Sequence, residues 1–206
     1  MSRKTRNLLT LGIISIVLFC CALIGISRTQ KVAETQDALP QGQPSIGGPF
    51  ELIDKDGKTW KSSDFKGTPL LIYFGYTYCP DICPTALYTM SQAIEKLGGK
   101  SVVHPLFITI DPERDTPAQL GNYFQNFLKE FIMLTGSSSQ IKQAIKAFCV
   151  HAARVEEGRG EGDYLMDHSS LIYLMDKEGK YIAHFDHKCS PQDIIKRVKT
   201  YLKTEK

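Results

Sequence analysis

No aspartate or glutamate occurs in the first 31 residues of this 206-residue chain, although the whole carries 22. That stretch holds Arg3, Lys4, Arg6, Arg28 and Lys31 instead, and between them Leu8–Ile26 has no charge of either sign. As a helix, these 19 residues span about 28 Å, close to the roughly 30 Å hydrocarbon core of a bilayer. The run lacks the marks of a cleaved leader, whose apolar part is roughly 7–15 residues long and ends at small side chains. Here Ser27-Arg28-Thr29-Gln30 follow. Cys20 and Cys21 lack the small residues that precede an acylated cysteine, since Leu18 and Phe19 are large. The expectation is a cytoplasmic N-terminus and uncleaved single-pass anchor over residues 1–30. Arg3, Lys4, Arg6 and the amino terminus outweigh Arg28 and Lys31, which holds the N-terminus inside. The rest of the chain then faces the periplasm or the intermembrane space.

Other absences narrow the function. The net charge of +3 comes from the N-terminus: setting aside its five bases leaves 20 Lys and Arg against the 22 acids. There is no Lys/Arg-rich face and no interleaving of bases with aromatics, which argues against nucleic acid. No repeat or low-complexity block occurs. With 42% hydrophobic and 23% charged residues, the composition is that of a globular protein rather than a disordered one. Residues 31–48 are polar, with Gln, Pro, Gly and Thr and little apolar content, and read as a flexible tether. Residues 49–206 then form one domain, long enough for a single core.

Within it, Phe50–Ile53 and Lys58–Trp60 flank a Gly57-containing turn and read as a hairpin. Leu70–Gly75 is a short apolar and aromatic run, as a buried strand is. Thr85–Leu97 has helical spacing and stops at Gly98-Gly99. Val102–Ile110 reads as a strand. Thr116, Pro117 and Gln119 open a helix as cap, first position and capping-box partner. A short strand at Ile132–Leu134 and a helix from Ser138 or Ser139 through Phe148 follow. After a Gly- and acid-rich loop at Gly158–Asp163, Leu171–Met175 and Tyr181–Phe185 form a second hairpin. Ser190-Pro191 starts a last helix to about Leu202. This order predicts an α/β, thioredoxin-like sandwich around a central mixed sheet, with its reactive residues at a strand–helix junction.

The reactive residues are Cys79 and Cys83, separated by three residues in Cys79-Pro80-Asp81-Ile82-Cys83-Pro84 at a predicted helix start. A helix N-terminus lowers a thiol pKa from about 8.5 toward roughly 3.5–7.5. Thiolates serve metal ligation and disulfide exchange alike, so the pair is a soft-metal site, a redox disulfide or a static one. Two thiolates favour Cu(I), and an added imidazole suits Cu(II) as well; zinc accepts the same donors. His104, His151, His168, His184 and His187 are the candidates for the third ligand. His168 follows the Gly-rich loop, which leaves it free to swing over the pair. Asp111 and Arg114 read as an ion pair or cap near the site, or as a turn before the Thr116 helix. Asp167 either orients His168 or faces solvent. Cys149, within the apolar Ala144–Val150, reads as core, as do Met90 and Met175. Cys189 beside His187 is too common a spacing to mark a metal pair.

Three segments together resemble the Sco/SenC family of cytochrome oxidase assembly proteins. They are Tyr73-Phe74-Gly75-Tyr76-Thr77-Tyr78-Cys79-Pro80-Asp81-Ile82-Cys83-Pro84, Ile110-Asp111-Pro112-Glu113-Arg114-Asp115-Thr116-Pro117, and Asp167-His168-Ser169-Ser170 followed by Tyr173-Leu174-Met175-Asp176. The resemblance covers roughly residues 45–203. It implies a thioredoxin-like fold and copper bound by Cys79, Cys83 and His168. It also implies a role as copper chaperone for the binuclear copper centre of cytochrome c oxidase, with the copper-accepting oxidase subunit, and another copper chaperone, as partners. A second reading makes Cys79 and Cys83 the redox pair of a thiol–disulfide oxidoreductase that reduces the subunit's copper-ligand cysteines; it does not need His168. A peroxidase reading is weak, because Thr77-Tyr78-Cys79 is one residue short of T-x-x-C.

Overall fold

In a computed structural model, the described residues are 46–124, 131–156 and 164–205. The expected anchor (1–30) and the Gly158–Asp163 loop lie outside them. Among the described residues no helix is long and apolar enough to cross a membrane.

The domain is an α/β sandwich around a seven-stranded mixed sheet, ordered β2-β1-β5-β4-β3-β8-β9. Its strands are β1 (Glu51–Asp54), β2 (Thr59–Lys61), β3 (Leu70–Gly75), β4 (His104–Thr109), β5 (Ile132–Thr135), β8 (Ile172–Met175) and β9 (Tyr181–Phe185). The helices are α1 (Ile82–Leu97), α2 (Pro117–Tyr123), α3 (Ser138–Ala147) and α4 (Pro191–Thr204). Strands β3, β4 and β5 run parallel, while β8 joins β3 antiparallel. The central strands of a parallel core are buried on both faces and need continuous apolar sequence. Leu70-Leu71-Ile72-Tyr73-Phe74-Gly75 supplies it, with every residue buried.

Register places the functional end of the sheet. Gly75 closes β3 opposite Thr109, the last residue of β4. On the other side of β3, Tyr73 faces Ile172, the first residue of β8. The segment leaving β3, the segment leaving β4 and the segment entering β8 therefore meet at one sheet end. These are the three segments that carry the sequence motifs.

Several local expectations need correction. Helix α1 begins at Ile82 rather than Thr85, which puts Cys83 in its first turn. Thr116 does cap α2 by accepting the Gln119 amide, but the Gln119 side chain does not close a capping box. It donates to Thr77 Oγ1 at 3.0 Å instead. Cys149 is exposed, not core. Helix α3 ends at Ala147, and Cys149 follows with φ +53°, so the apolar run is broken by a left-handed turn that aims its side chain outward. Finally, His168 does not stand on a loop. It ends β7 (Tyr164–His168), which pairs antiparallel with β6 (Ala152–Glu156) in a separate two-stranded sheet.

Candidate metal centre

The N-terminus of α1 builds half of the site. Asp81 occupies the cap position but makes no side-chain capping bond. The sulfur of Cys79 takes over that work, accepting the Cys83 amide N–H at 3.4 Å. One amide of the first helical turn is thereby satisfied by a soft, polarizable acceptor. Both cysteines are free thiols; Cys79 is 8% exposed and Cys83 0%. The Tyr73 hydroxyl donates to Cys83 Sγ at 3.6 Å.

His168 completes the cluster. Its Nε2 lies 3.7 Å from Cys83 Sγ, and the donor atoms of Cys79, Cys83 and His168 all lie within 4.8 Å of one another. Its Nδ1 contacts the Ser169 carbonyl at 3.2 Å. A carbonyl only accepts, so Nδ1 carries the proton and Nε2 presents its lone pair to the sulfurs. The rings of Tyr73 and Tyr76 stand edge-on to the imidazole, with centroids 6.3 and 5.8 Å away. Pro80, Ile82, Val155, Leu165 and Met166 line the cleft leading to it.

The donor set fits a single ion. Bonds of about 2.3 Å to sulfur and 2.0–2.1 Å to imidazole nitrogen, 120° apart, separate those atoms by about 3.8 Å. The Cys83–His168 separation of 3.7 Å matches. Two sulfurs and an imidazole with no carboxylate disfavour magnesium and calcium and suit copper or zinc.

The two thiols are not equivalent. The Cys83 thiol and the amides of Cys83 and Asp81 donate to Cys79, which holds its pKa well below the usual thiol range despite burial. The proton shared with Cys79, together with burial, pushes the Cys83 pKa up. The resting pair is thus one thiolate, on Cys79, and one thiol, on Cys83. A lowered pKa keeps a thiolate populated as pH falls. Alkylation of the reduced chain at Cys79, measured against a Cys79→Ser control, should therefore stay nearly constant from about pH 8 to pH 5. An ordinary thiol of pKa about 8.5 slows nearly tenfold per unit in that range.

The other candidates fall away from the cluster. Asp167 is exposed and pairs with His151 Nε2 at 3.5 Å, so the Ser169 carbonyl, not Asp167, orients His168. His104 opens β4, and burial lowers its pKa. His184 contacts the Tyr181 hydroxyl. Cys189 is half-buried, and burial pushes its pKa up to about 11. Met90 and Met175 are core residues, as expected. Sequence reasoning missed Tyr73, Tyr76, Thr77 and Asp115. Tyr73 and Tyr76 read there as part of an apolar strand and its exit. Asp115 looked like one acid in a polar turn, yet it is fully buried.

Comparison with known proteins agrees with this architecture. The SCO1/SenC family model matches residues 38–203. A "SCO2-like protein" of Rickettsia felis is 42% identical over 198 residues, covering 91% of this chain and 97% of the relative. Mitochondrial SCO1 of Saccharomyces cerevisiae is 38% identical over 184 residues, covering 86% and 62%. Among solved structures, copper-bound ScoI of Bradyrhizobium japonicum superposes with a TM-score of 0.70 at 42% identity, covering 76% of this chain and 99% of that one. Copper-bound ScoI of Arabidopsis thaliana gives 0.72 at 37%, covering 78% and 99%. On its sequence match and its fold, the chain belongs to the SCO1/SenC family.

Proposed function

We propose that this chain is a copper-binding assembly factor that carries one copper ion on Cys79, Cys83 and His168. It delivers the ion to the copper-accepting subunit of cytochrome c oxidase. The observation that carries this reading is the convergence of two sulfurs and one lone-pair imidazole nitrogen in a half-buried cleft. Copper-bound relatives with the same fold support it. A relative described as a member of the Sco family of cytochrome c oxidase assembly proteins supports the destination. Copper is cargo here. The Cys79 thiolate is ready to bind, and the Cys83 proton leaves as the second sulfur engages. One proton released per copper makes affinity rise about tenfold per pH unit while Cys83 stays protonated.

Leu8–Ile26 anchors the chain in the inner or an equivalent membrane, residues 31–48 tether it, and the domain faces the periplasm or intermembrane space. The test is transfer. Full-length chain in detergent, loaded with one equivalent of copper, is mixed with the reduced oxidase subunit, and copper is followed on both after separation. Movement of copper to the subunit supports the reading. A wild-type chain that takes up no copper, or keeps it in the presence of excess acceptor, contradicts it.

One observation favours a second reading, reduction of the subunit's disulfide. Cys79 is a thiolate with a thiol partner within 4.8 Å. Cys79 would attack one partner sulfur, forming a mixed disulfide and releasing the other as thiolate. Cys83, losing its proton, would then attack Cys79 and free the second partner sulfur. Two electrons pass to the partner, and the pair ends as a disulfide. His168→Ala separates the readings, because it weakens Cu(II) binding but leaves both sulfurs of this exchange in place.

A further inference from the structure

His168 ends a strand that is not hydrogen-bonded to the central sheet. A lone two-stranded ribbon is marginally stable, so other contacts must fix where β7 lies. Met166 and Ala152 pack against the core. At the opposite end of β7 from His168, Tyr164 is held from three directions. Arg114 Nη1 donates to its carbonyl at 2.8 Å, and its hydroxyl donates to Asp111 Oδ1 at 2.8 Å. The Arg114 guanidinium lies over its ring, 3.5 Å from the centroid. Arg114 Nε also donates to Asp111 Oδ2 at 2.6 Å.

The same arginine reaches the cysteine side. Its guanidinium lies 4.6 Å from the centroid of Tyr78, the residue before Cys79. One residue further along, Asp115 clamps the cysteine loop. It accepts the Thr77 amide at 3.0 Å, the Thr77 hydroxyl at 2.6 Å and the Thr109 hydroxyl at 2.7 Å. Asp111, Arg114 and Asp115 all lie in the turn between β4 and α2, and none supplies a donor atom to the three-atom cluster. An exposed ion pair at Asp111–Arg114 would contribute little to any of this. These side chains are 4% and 17% exposed, however, and the guanidinium fork engages a carboxylate, a carbonyl and a ring at once.

We infer that Arg114, acting through Asp111 and Tyr164, is a positioning residue that fixes the β6–β7 ribbon so that His168 stays over the Cys79–Cys83 pair. This rests on the copper reading for its consequence but not for its geometry. Losing the latch should release the imidazole while leaving the two sulfurs in place. The affected property is then binding of Cu(II), which draws on imidazole, more than of Cu(I), which two thiolates suit.

The test uses full-length chain in detergent with ring-labelled histidine: wild type, Arg114→Gln, Arg114→Lys and Tyr164→Phe. Without metal, nuclear Overhauser contacts from the His168 ring to the Tyr73 and Tyr76 rings report its position. With copper, Cu(II) and Cu(I) affinities are measured by chelator competition. The latch predicts that Arg114→Gln loses the ring contacts and binds Cu(II) about 10–100-fold more weakly, the range for loss of an outer-shell partner. Cu(I) affinity should change less. Arg114→Lys keeps the charge but not the fork, and should resemble Arg114→Gln. Unchanged ring contacts and Cu(II) affinity, with only a lowered melting temperature, would overturn the inference and leave a purely structural ion pair. If Arg114→Gln does not fold, Arg114→Lys decides the matter, since it keeps the charge but not the fork; intact ring contacts there overturn the latch. A wild type that takes up no copper would defeat the functional reading, while the metal-free contacts still decide the latch.

Discussion

Replacing His168 by alanine is expected to weaken Cu(II) binding by more than the about 10–100-fold that loss of an outer-shell partner costs, while Cu(I) binding survives. Donor preference sets the difference. Two thiolates make an adequate Cu(I) site on their own, whereas Cu(II) gains from the harder imidazole nitrogen. The Nδ1 contact to Ser169 commits Nε2 to the sulfur side, so no other atom of the residue is placed to substitute. His168 is half-buried and ends its strand, so its truncation leaves the core untouched. Cys83→Ser should behave differently. It removes one of two sulfurs from a fully buried position and should abolish tight binding of both oxidation states. Chelator competition, with the sulfur-to-copper charge-transfer band read in parallel, distinguishes the two patterns. Unchanged Cu(II) affinity in His168→Ala would remove the imidazole from the site.

Gly75→Ala is expected to damage the site and the fold together. A Cβ at position 75 would lie 2.8 Å from Tyr73 Cε1, 2.9 Å from Cys83 Sγ and 3.1 Å from Phe107 Cε2. Tyr73, Cys83 and Phe107 are themselves fully buried, so none has free space to retreat into. Overpacking of this kind costs about 1–3 kcal/mol. In a chain of this size that lowers the melting temperature by about 2–4 °C per kcal/mol. The Cys83 sulfur is among the atoms that must move, so copper affinity should fall along with stability. Calorimetry and a copper titration on one preparation check both. A variant that melts and binds as wild type does would mean that the close approach of β3 to the sulfur is not needed.

Much of this was legible in the sequence, for identifiable reasons. The central strands are continuous apolar runs because both faces are buried, and the cysteine helix shows its apolar stripe plainly. Ser190 with Pro191 announced α4, and the structure adds the reciprocal bonds with Asp193 that form a capping box. The β6–β7 ribbon was not legible. Ala152-Ala153-Arg154-Val155-Glu156 and Tyr164-Leu165-Met166-Asp167-His168 are mostly half-buried or exposed, so neither carries the alternation of a core strand. Their pairing is decided by each other and by side chains such as Arg114, contacts that no local pattern encodes. Cys149 misled for the opposite reason: an apolar neighbourhood continued past the residue where the backbone had already turned. At the site, the pairing of the cysteines could be read from spacing, but the choice of His168 among five histidines rested on the Sco/SenC resemblance. The geometric reason is the register of β3 against β8, which only the folded chain reveals.

X-ray absorption at the copper edge, on full-length chain loaded with one equivalent, examines the site most directly. Two sulfur scatterers at about 2.3 Å and one imidazole nitrogen at about 2.0 Å, the nitrogen vanishing in His168→Ala, are the expected result. A first shell of nitrogen and oxygen alone, or one that keeps its imidazole when residue 168 is alanine, would contradict it.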